Sequence, residues 1–260
     1  MVPDSVDMYK GCIEKMGKKV KEYLRNETNA GGFFEQAWTK AEKCASKNYS
    51  VNQKLDKLSH NHIKAICAYT GGQPKIYPAF NQAVRTNRTE YTTSFQFHSL
   101  HFLLTDARRL LKEKQQGCHT TYQRTNMEFA GEVNKEIRFG LFASSSFLKN
   151  LTHFGENTCF ELKTCFGTDL KSYPEMGNYE KEVLSPPYEV FKVTAVLKKE
   201  NDENLWCDVV YKLKSINTLS NVNCNIFTKP TINVGARGQY LHGRIKNVPD
   251  LIWLLILPSN

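Results

Sequence analysis

The chain has 260 residues, 40% of them hydrophobic and including 15 Phe and 12 Tyr, which is enough apolar side chain for an ordinary core and excludes a globally disordered polypeptide. Its 35 basic residues outnumber 26 acidic ones, giving a net charge of +9. They are scattered, without the Lys/Arg run of a nucleic-acid-binding arm, so the charge is read as a basic surface that attracts anionic ligands or acidic surfaces and not as a nucleic-acid footprint.

In chain order, the first 117 residues carry helical periodicity. Val6, Tyr9, Ile13, Met16, Val20 and Tyr23 recur at three and four, one stripe of an amphipathic helix. Phe34, Trp38 and Ala41 repeat the spacing, as do Ile63, Ile66 and Tyr69 before the stop at Gly71-Gly72. A longer stripe follows in Phe97, Leu100, Leu104, Ala107 and Leu111, and these aromatics read as core contacts, not a cofactor box. Beyond Gly117 the pattern changes to strands, predicted over 118–124, 137–147, 158–164, 182–193, 193–199 with 205–213, and 222–228. Helices first and strands afterwards predict an α+β fold. Residues 1–229 are read as one domain, helical over 1–117 and β-rich over 118–229, because no linker-like stretch divides them. Residues 230–260 form an atypical tail, whose apolar run 251–257 is too short to span a bilayer and marginal for a lipid-anchor signal. Met1-Val2-Pro3-Asp4 does not read as a secretory signal.

Eight cysteines form no Cys-x-x-Cys pair, and no His stands at zinc-like spacing, which speaks against a metal site and for disulfides in an oxidising compartment. Cys44 and Cys67 lie in helical patterns, as buried thiols or as a bridge. Asn26, Asn48, Asn87 and Asn150 head sequons that agree with secretion.

The most informative stretch is Glu180 and Glu182, one residue apart, directly before the apolar run Val183-Leu184. A Glu-x-Glu at a strand start puts both carboxylates on one side of the pleat, roughly 7 Å apart. Two acids so placed can divide one reaction, one stabilising a developing sugar cation and the other steering a nucleophile. Upstream, Phe139 to Phe147 alternates apolar with small or polar positions, so Ser144 and Ser146 share a strand face. Before that, Cys118-His119-Thr120-Thr121-Tyr122-Gln123-Arg124-Thr125 is a β-prone segment carrying a cation.

The order cationic strand, Ser-x-Ser strand, Glu-x-Glu strand resembles the arginine-specific mono-ADP-ribosyltransferases of vertebrates, extracellular relatives of the cholera-type toxins. Asp7-Met8-Tyr9-Lys10-Gly11-Cys12, Ala37-Trp38, Ala68-Tyr69-Thr70, Arg138-Phe139-Gly140, Lys163-Thr164-Cys165 and Glu182-Val183-Leu184 add to the resemblance, which runs over about residues 3 to 228. It implies helices packed on a mixed or antiparallel β-sandwich that binds NAD, and transfer of ADP-ribose from NAD, with NADP as a second candidate, to arginine in acceptor proteins. Glu182 would stabilise the oxocarbenium-like ribose through its 2′-OH, and Glu180 would deprotonate the acceptor guanidinium. Ser144 would position the ribose and brace Glu182, with Ser146 behind it, and Tyr179 would present the acceptor or pack the loop. The resemblance further implies bridges Cys12–Cys224, tying the first helix to the last strand, and Cys118–Cys165, and a secreted or surface-anchored location; Cys159–Cys207 is a third candidate bridge that the resemblance does not supply.

One motif departs from the family pattern of aromatic-Arg-Gly. Counting from Cys118, the arginine slot holds Gln123, and Arg124 follows one place later. Either a bulge turns Arg124 into the site to hold the pyrophosphate, or a glutamine stands there without a charge or a bidentate fork. The alternatives to transfer are therefore an NAD glycohydrolase, a weakened member of the family, or a disulfide-stapled interaction module without enzymatic activity.

Overall fold

A computed structural model describes Asp4, residues 6–52 and residues 56–228. The tail from 230 onward, including the apolar run, lies outside the described residues.

Six helices precede the strands: α1 (Ile13–Asn29), α2 (Gly32–Lys40), α3 (Glu42–Asn52), α4 (His60–Tyr69), α5 (Tyr77–Thr86) and α6 (His98–Lys112). The apolar stripes fall where the spacing predicts, and Met16, Val20, Phe34, Trp38, Ile63, Ile66, Leu100, Leu104, Ala107 and Leu111 are buried. The first stripe begins late. Val6 and Tyr9 are buried but precede α1, because Tyr9 adopts a left-handed φ of 54° and its N–H is taken by the Asp7 side chain. Helices α3 and α5 lie within the predicted helical half but outside the four stripes. Ser59 caps α4 with its side chain, and a proline in the first turn of α5 suits a position whose N–H would have no partner.

The strands are β1 (His119–Thr125), β2 (Glu136–Arg138), β3 (Ala143–Ser146), β4 (Thr158–Thr164), β5 (Thr168–Asp169), β6 (Glu182–Ser185), β7 (Glu189–Lys198) and β8 (Val209–Thr218). They form one mixed sheet in the order β2-β7-β8-β4-β1-β3-β6-β5, antiparallel except for β4 with β8. The predicted strand 137–147 is two strands, broken at Gly140 with φ 66°. Likewise Pro186-Pro187 separates β6 from β7, since proline cannot donate to a ladder. The predicted strand 222–228 is instead a turn and a 3₁₀ segment, Asn225–Phe227, entered by Cys224 at φ 58°.

The short link from β2 to β3 dictates the shape of the sheet. Five strand-to-strand steps separate them in the order, about 24 Å if flat, whereas the chain from Arg138 to Ala143 reaches about 18 Å at most. The sheet therefore folds over, in keeping with the sandwich expected. Phe139 and Leu141 in the link close over Phe160, Leu162, Phe191, Val193, Tyr211 and Leu213 to make the β core. A larger core joins the helices to Phe142, Leu170, Tyr173, Leu184 and Tyr188 on the neighbouring strands and loops.

Four disulfides staple this arrangement: Cys12–Cys224, Cys44–Cys67, Cys118–Cys165 and Cys159–Cys207. Cys44 and Cys67 are thus a bridge between α3 and α4, and Cys224 ties the start of α1 to a turn instead of a strand.

Candidate active site

β1, β3 and β6 lie side by side, which brings the three sequence motifs together. Tyr122 is opposite Ser146, and Ser146 is opposite Glu182, so these three side chains form a row across one face. Ser144 shares that face. Ser145 points the other way, where its hydroxyl donates to Thr121 Oγ1 at 2.9 Å and to the Val183 carbonyl at 3.1 Å.

Glu182 is 8% exposed, and the Ser144 hydroxyl donates to its Oε1 at 2.5 Å. Burial raises its pKa to about 7, opposed by the Ser144 hydrogen bond and reinforced by the nearby charge of Glu180. Glu180 is half-buried, and burial also moves its carboxyl up, with His153 opposing. The two acids are not related by the simple pleat that their spacing predicts. Strand β6 begins only at Glu182, and Lys181 between them takes a left-handed φ of 45°. That kink leaves the Glu180 carbonyl free to accept the Ser146 hydroxyl, and Ser146 Oγ in turn accepts the Leu148 N–H at 2.8 Å. Ser146 therefore fastens the backbone that carries the second acid. Tyr179 is 75% exposed at the rim.

A second layer comes from the helices and was not foreseen. Asn81 on α5 pairs with both backbone groups of Phe142, donating to its carbonyl at 3.2 Å and accepting its N–H at 3.2 Å. Its amide thereby supplies a ladder partner just before β3, where the chain is between strands. The Tyr69 hydroxyl donates to the same carbonyl at 2.7 Å. Burial drives the Tyr69 phenol well above its usual range, partly offset by hydrogen bonding with Asn81 and Ser144. Ala68-Tyr69-Thr70 carries part of the family resemblance, and nothing in the sequence marks Asn81.

Neither Gln123 nor Arg124 pairs with Glu180 or Glu182: Gln123 points to the other face, and Arg124 shares the face of Tyr122 but spends its guanidinium elsewhere. The β1–β4 register is unbroken from His119 to Thr125, so the expected bulge is absent. Gln123 pairs with the core residue Phe160 and lies on the face of Thr121 and Ser145, with both amide atoms buried and unpartnered. The Arg124 guanidinium is committed elsewhere. It donates to the carbonyls of Lys149 (2.8 Å), Gly155 (3.3 Å) and Trp206 (3.3 Å), stacks on the Trp206 ring at 4.8 Å and pairs with Glu156 at 3.5 Å. A surface groove lies away from this row, against α2 and α3, with Glu35, Lys40, Lys47 and Gln73 in its lining. Its lining sets Ser46 against Glu42 at 2.8 Å, but that carboxylate is exposed and paired with Lys64 at 2.7 Å, so the chemistry is read from the buried Glu182.

The arrangement is a buried carboxylate braced by a serine, with a second acid one kink away: a site able to stabilise a cation and to accept a proton from an incoming nucleophile. The sequence profile of the NAD:arginine ADP-ribosyltransferase family matches residues 1–215. The chain is 35% identical over 201 residues to the erythroblast NAD(P)(+)--arginine ADP-ribosyltransferase of Gallus gallus, covering 75% of this chain and 66% of that one. It is 34% identical to ecto-ADP-ribosyltransferase 5 of Homo sapiens, covering 75% and 70% of the two chains. Among solved structures it resembles the eukaryotic mono-ADP-ribosyltransferase ART2.2, with a TM-score of 0.70 at 30% identity over 85% of this chain and 95% of that one. A mutant of ART2.2 in complex with NAD gives a TM-score of 0.68 at 28% identity over 86% and 96%. The brace of Ser144 on Glu182, the folded mixed sheet and the profile match over most of the chain agree: this protein belongs to the NAD:arginine ADP-ribosyltransferase family.

Proposed function

We propose that the chain transfers ADP-ribose from NAD to arginine side chains of acceptor proteins and releases nicotinamide, with residues 1–229 acting as one catalytic unit. The observation that carries this reading is the buried Glu182 held by Ser144, with Glu180 close enough to raise its pKa. NAD supplies an N-glycosidic bond whose cleavage leaves positive charge on the ribose. Glu182, as the carboxylate, accepts a hydrogen bond from the ribose 2′-OH and stabilises that charge, and burial strengthens the effect by lowering the local dielectric. Ser144 orients Glu182 through the same hydrogen bond that favours its charged form. Glu180, half-buried and more basic than a free carboxylate, takes the proton from the acceptor guanidinium, which is otherwise protonated and not nucleophilic. Ser146 holds the Glu180 backbone, and Tyr179 at the rim meets the acceptor.

NAD is the donor on this reading, with NADP a second one to be compared directly, since the relatives' names carry NAD(P). Four disulfides and the ecto names of relatives support a secreted or surface-anchored location. No helix of the described residues is long and apolar enough to cross a membrane. A second reading, hydrolysis of NAD without efficient transfer, is favoured by one observation: Gln123 in the family's arginine slot is uncharged and buried on the far face.

Incubation with etheno-NAD and agmatine separates the readings, giving an agmatine adduct, free ADP-ribose alone, or neither. Glu182→Gln is expected to abolish both transfer and NAD hydrolysis, and Glu180→Gln to abolish transfer while sparing hydrolysis. Normal transfer by Glu182→Gln would refute the assignment.

A further inference from the structure

A dinucleotide carries two phosphate charges, and a site of this kind needs a cation for them. The family motif puts an arginine at position 123, where this chain has a glutamine whose amide is sealed on the opposite face of β1. Arg124 is the adjacent cation, but three carbonyls, a ring face and Glu156 already engage it.

The bonds of Arg124 point to another residue. Its Nε holds the carbonyl of Lys149 at 2.8 Å, and its Nη1 holds Gly155 and Trp206, so one guanidinium ties both ends of the 149–155 loop to the segment before β8. Cys207, the neighbour of Trp206, is bonded to Cys159, which pairs directly with Arg124 in the sheet. The outcome is a fixed platform. Tyr122 and Trp206 meet edge to face at 5.7 Å, and the Lys149 ammonium lies 5.0 Å from the Trp206 ring centre and 5.9 Å from that of Tyr122. Lys149 is exposed, and no carboxylate of the described residues forms an ion pair with it. Glu161, opposite Tyr122 on β4, is instead paired with Lys212 at 3.6 Å. Tyr122 is also the end of the row Tyr122–Ser146–Glu182, two strand spacings or about 10 Å from the catalytic carboxylate. The Lys149 ammonium, beside the Tyr122 ring, is therefore within the span of a dinucleotide whose reacting sugar sits at Glu182.

We propose that Lys149, held on the Tyr122–Trp206 platform that Arg124 brackets, is the cation that receives the dinucleotide's pyrophosphate in this chain, replacing the arginine missing at position 123. The inference rests on the functional reading above, because it assumes that the dinucleotide's ribose sits at Glu182. An ammonium is a point charge without the bidentate fork of arginine, so Lys149 contributes attraction more than orientation.

The test is the affinity for ADP-ribose, which keeps the pyrophosphate and does not react, measured by calorimetry for the wild type, Lys149→Met and Lys149→Arg. Lys149→Met is expected to weaken ADP-ribose binding about ten-fold, the factor typical of one charge-assisted contact, and Lys149→Arg to retain it. In turnover, Lys149→Met should raise KM for NAD by a similar factor and leave kcat within about two-fold, because the contact is made equally before and during reaction. The melting temperature should not move, as the side chain is exposed. Unchanged ADP-ribose affinity in Lys149→Met, or failure of Lys149→Arg to retain it, overturns the assignment while leaving NAD turnover by the wild type in place. A wild type that binds no ADP-ribose and consumes no NAD overturns it together with the functional reading.

Discussion

Removing the Ser144 hydroxyl should change the pH at which the enzyme works as well as its rate. Glu182 must be ionised to stabilise positive charge, and burial holds its pKa at about 7, so activity should rise with pH through that region. The Ser144 hydrogen bond, 2.5 Å to Oε1, favours the charged form and keeps the pKa from rising further. A hydrogen bond to a charged group is worth about 1.5 kcal/mol at the lower end, and one pKa unit is about 1.4 kcal/mol, so Ser144→Ala should lift the midpoint by roughly one unit. At pH 7 the ionised fraction then falls from about one half to about one tenth, a five-fold loss that is recovered near pH 9. The assay is etheno-NAD hydrolysis from pH 5.5 to 9.5 at constant ionic strength. Because Glu180 and Glu182 interact, the midpoint belongs to the pair, and Glu180→Gln, which removes a like charge, should move it the opposite way. A uniform loss across the pH range, with the Ser144→Ala midpoint unmoved, would refute the claim that this hydroxyl tunes the carboxylate.

Three further outcomes follow from groups away from the reacting atoms. Glu27 on α1 is half-buried against Ser99, and desolvation raises its pKa from 4.5 to about 7, so the folded state binds its proton more tightly and stability declines as pH rises through that window. Glu27→Gln should raise the melting temperature by several degrees at pH 8, from up to about 3 kcal/mol, and change it little at pH 5; equal effects at both pH values would contradict the burial argument. Cys12–Cys224 joins positions 212 residues apart, and on a chain-entropy basis its loss in the Cys12→Ser, Cys224→Ser double variant should cost roughly 5 kcal/mol, read by denaturant unfolding. Asn81→Ala removes its two hydrogen bonds to Phe142, leaving the carbonyl with Tyr69 alone, and should destabilise by about 2 kcal/mol while lowering NAD turnover, whereas an unchanged turnover would show that β3 holds Ser144 without help from α5.

Some parts of this molecule are readable because they depend on neighbours along the chain. The stripes of α1, α2, α4 and α6 obey helical spacing, and β4 spans the predicted residues 158–164. Breaks within strands were harder to see. Gly140 and Pro186-Pro187 are visible as residues, yet whether an apolar run continues past them depends on which strand waits beside it. The final predicted strand failed for that reason: residues 222–228 have β-prone composition, but the Cys12 bridge and the left-handed Cys224 hold them in a turn. Similarly, Glu180 and Glu182 stand on either side of one kink, and only the fold places Lys181 at positive φ between them.

By itself the amino-acid order determined the α+β succession, the identity of the serine and the two acids, and the order Gln123-Arg124 after Tyr122, because each is a matter of residue type and local spacing. The tertiary structure decided the rest: that Ser144 reaches Glu182, that Asn81 and Tyr69 hold the Phe142 carbonyl, and that Arg124 serves three carbonyls while Lys149 is left facing solvent. The reason is geometric. Which face a strand residue occupies is fixed by register against another strand, and register is set by contacts between segments far apart in the chain.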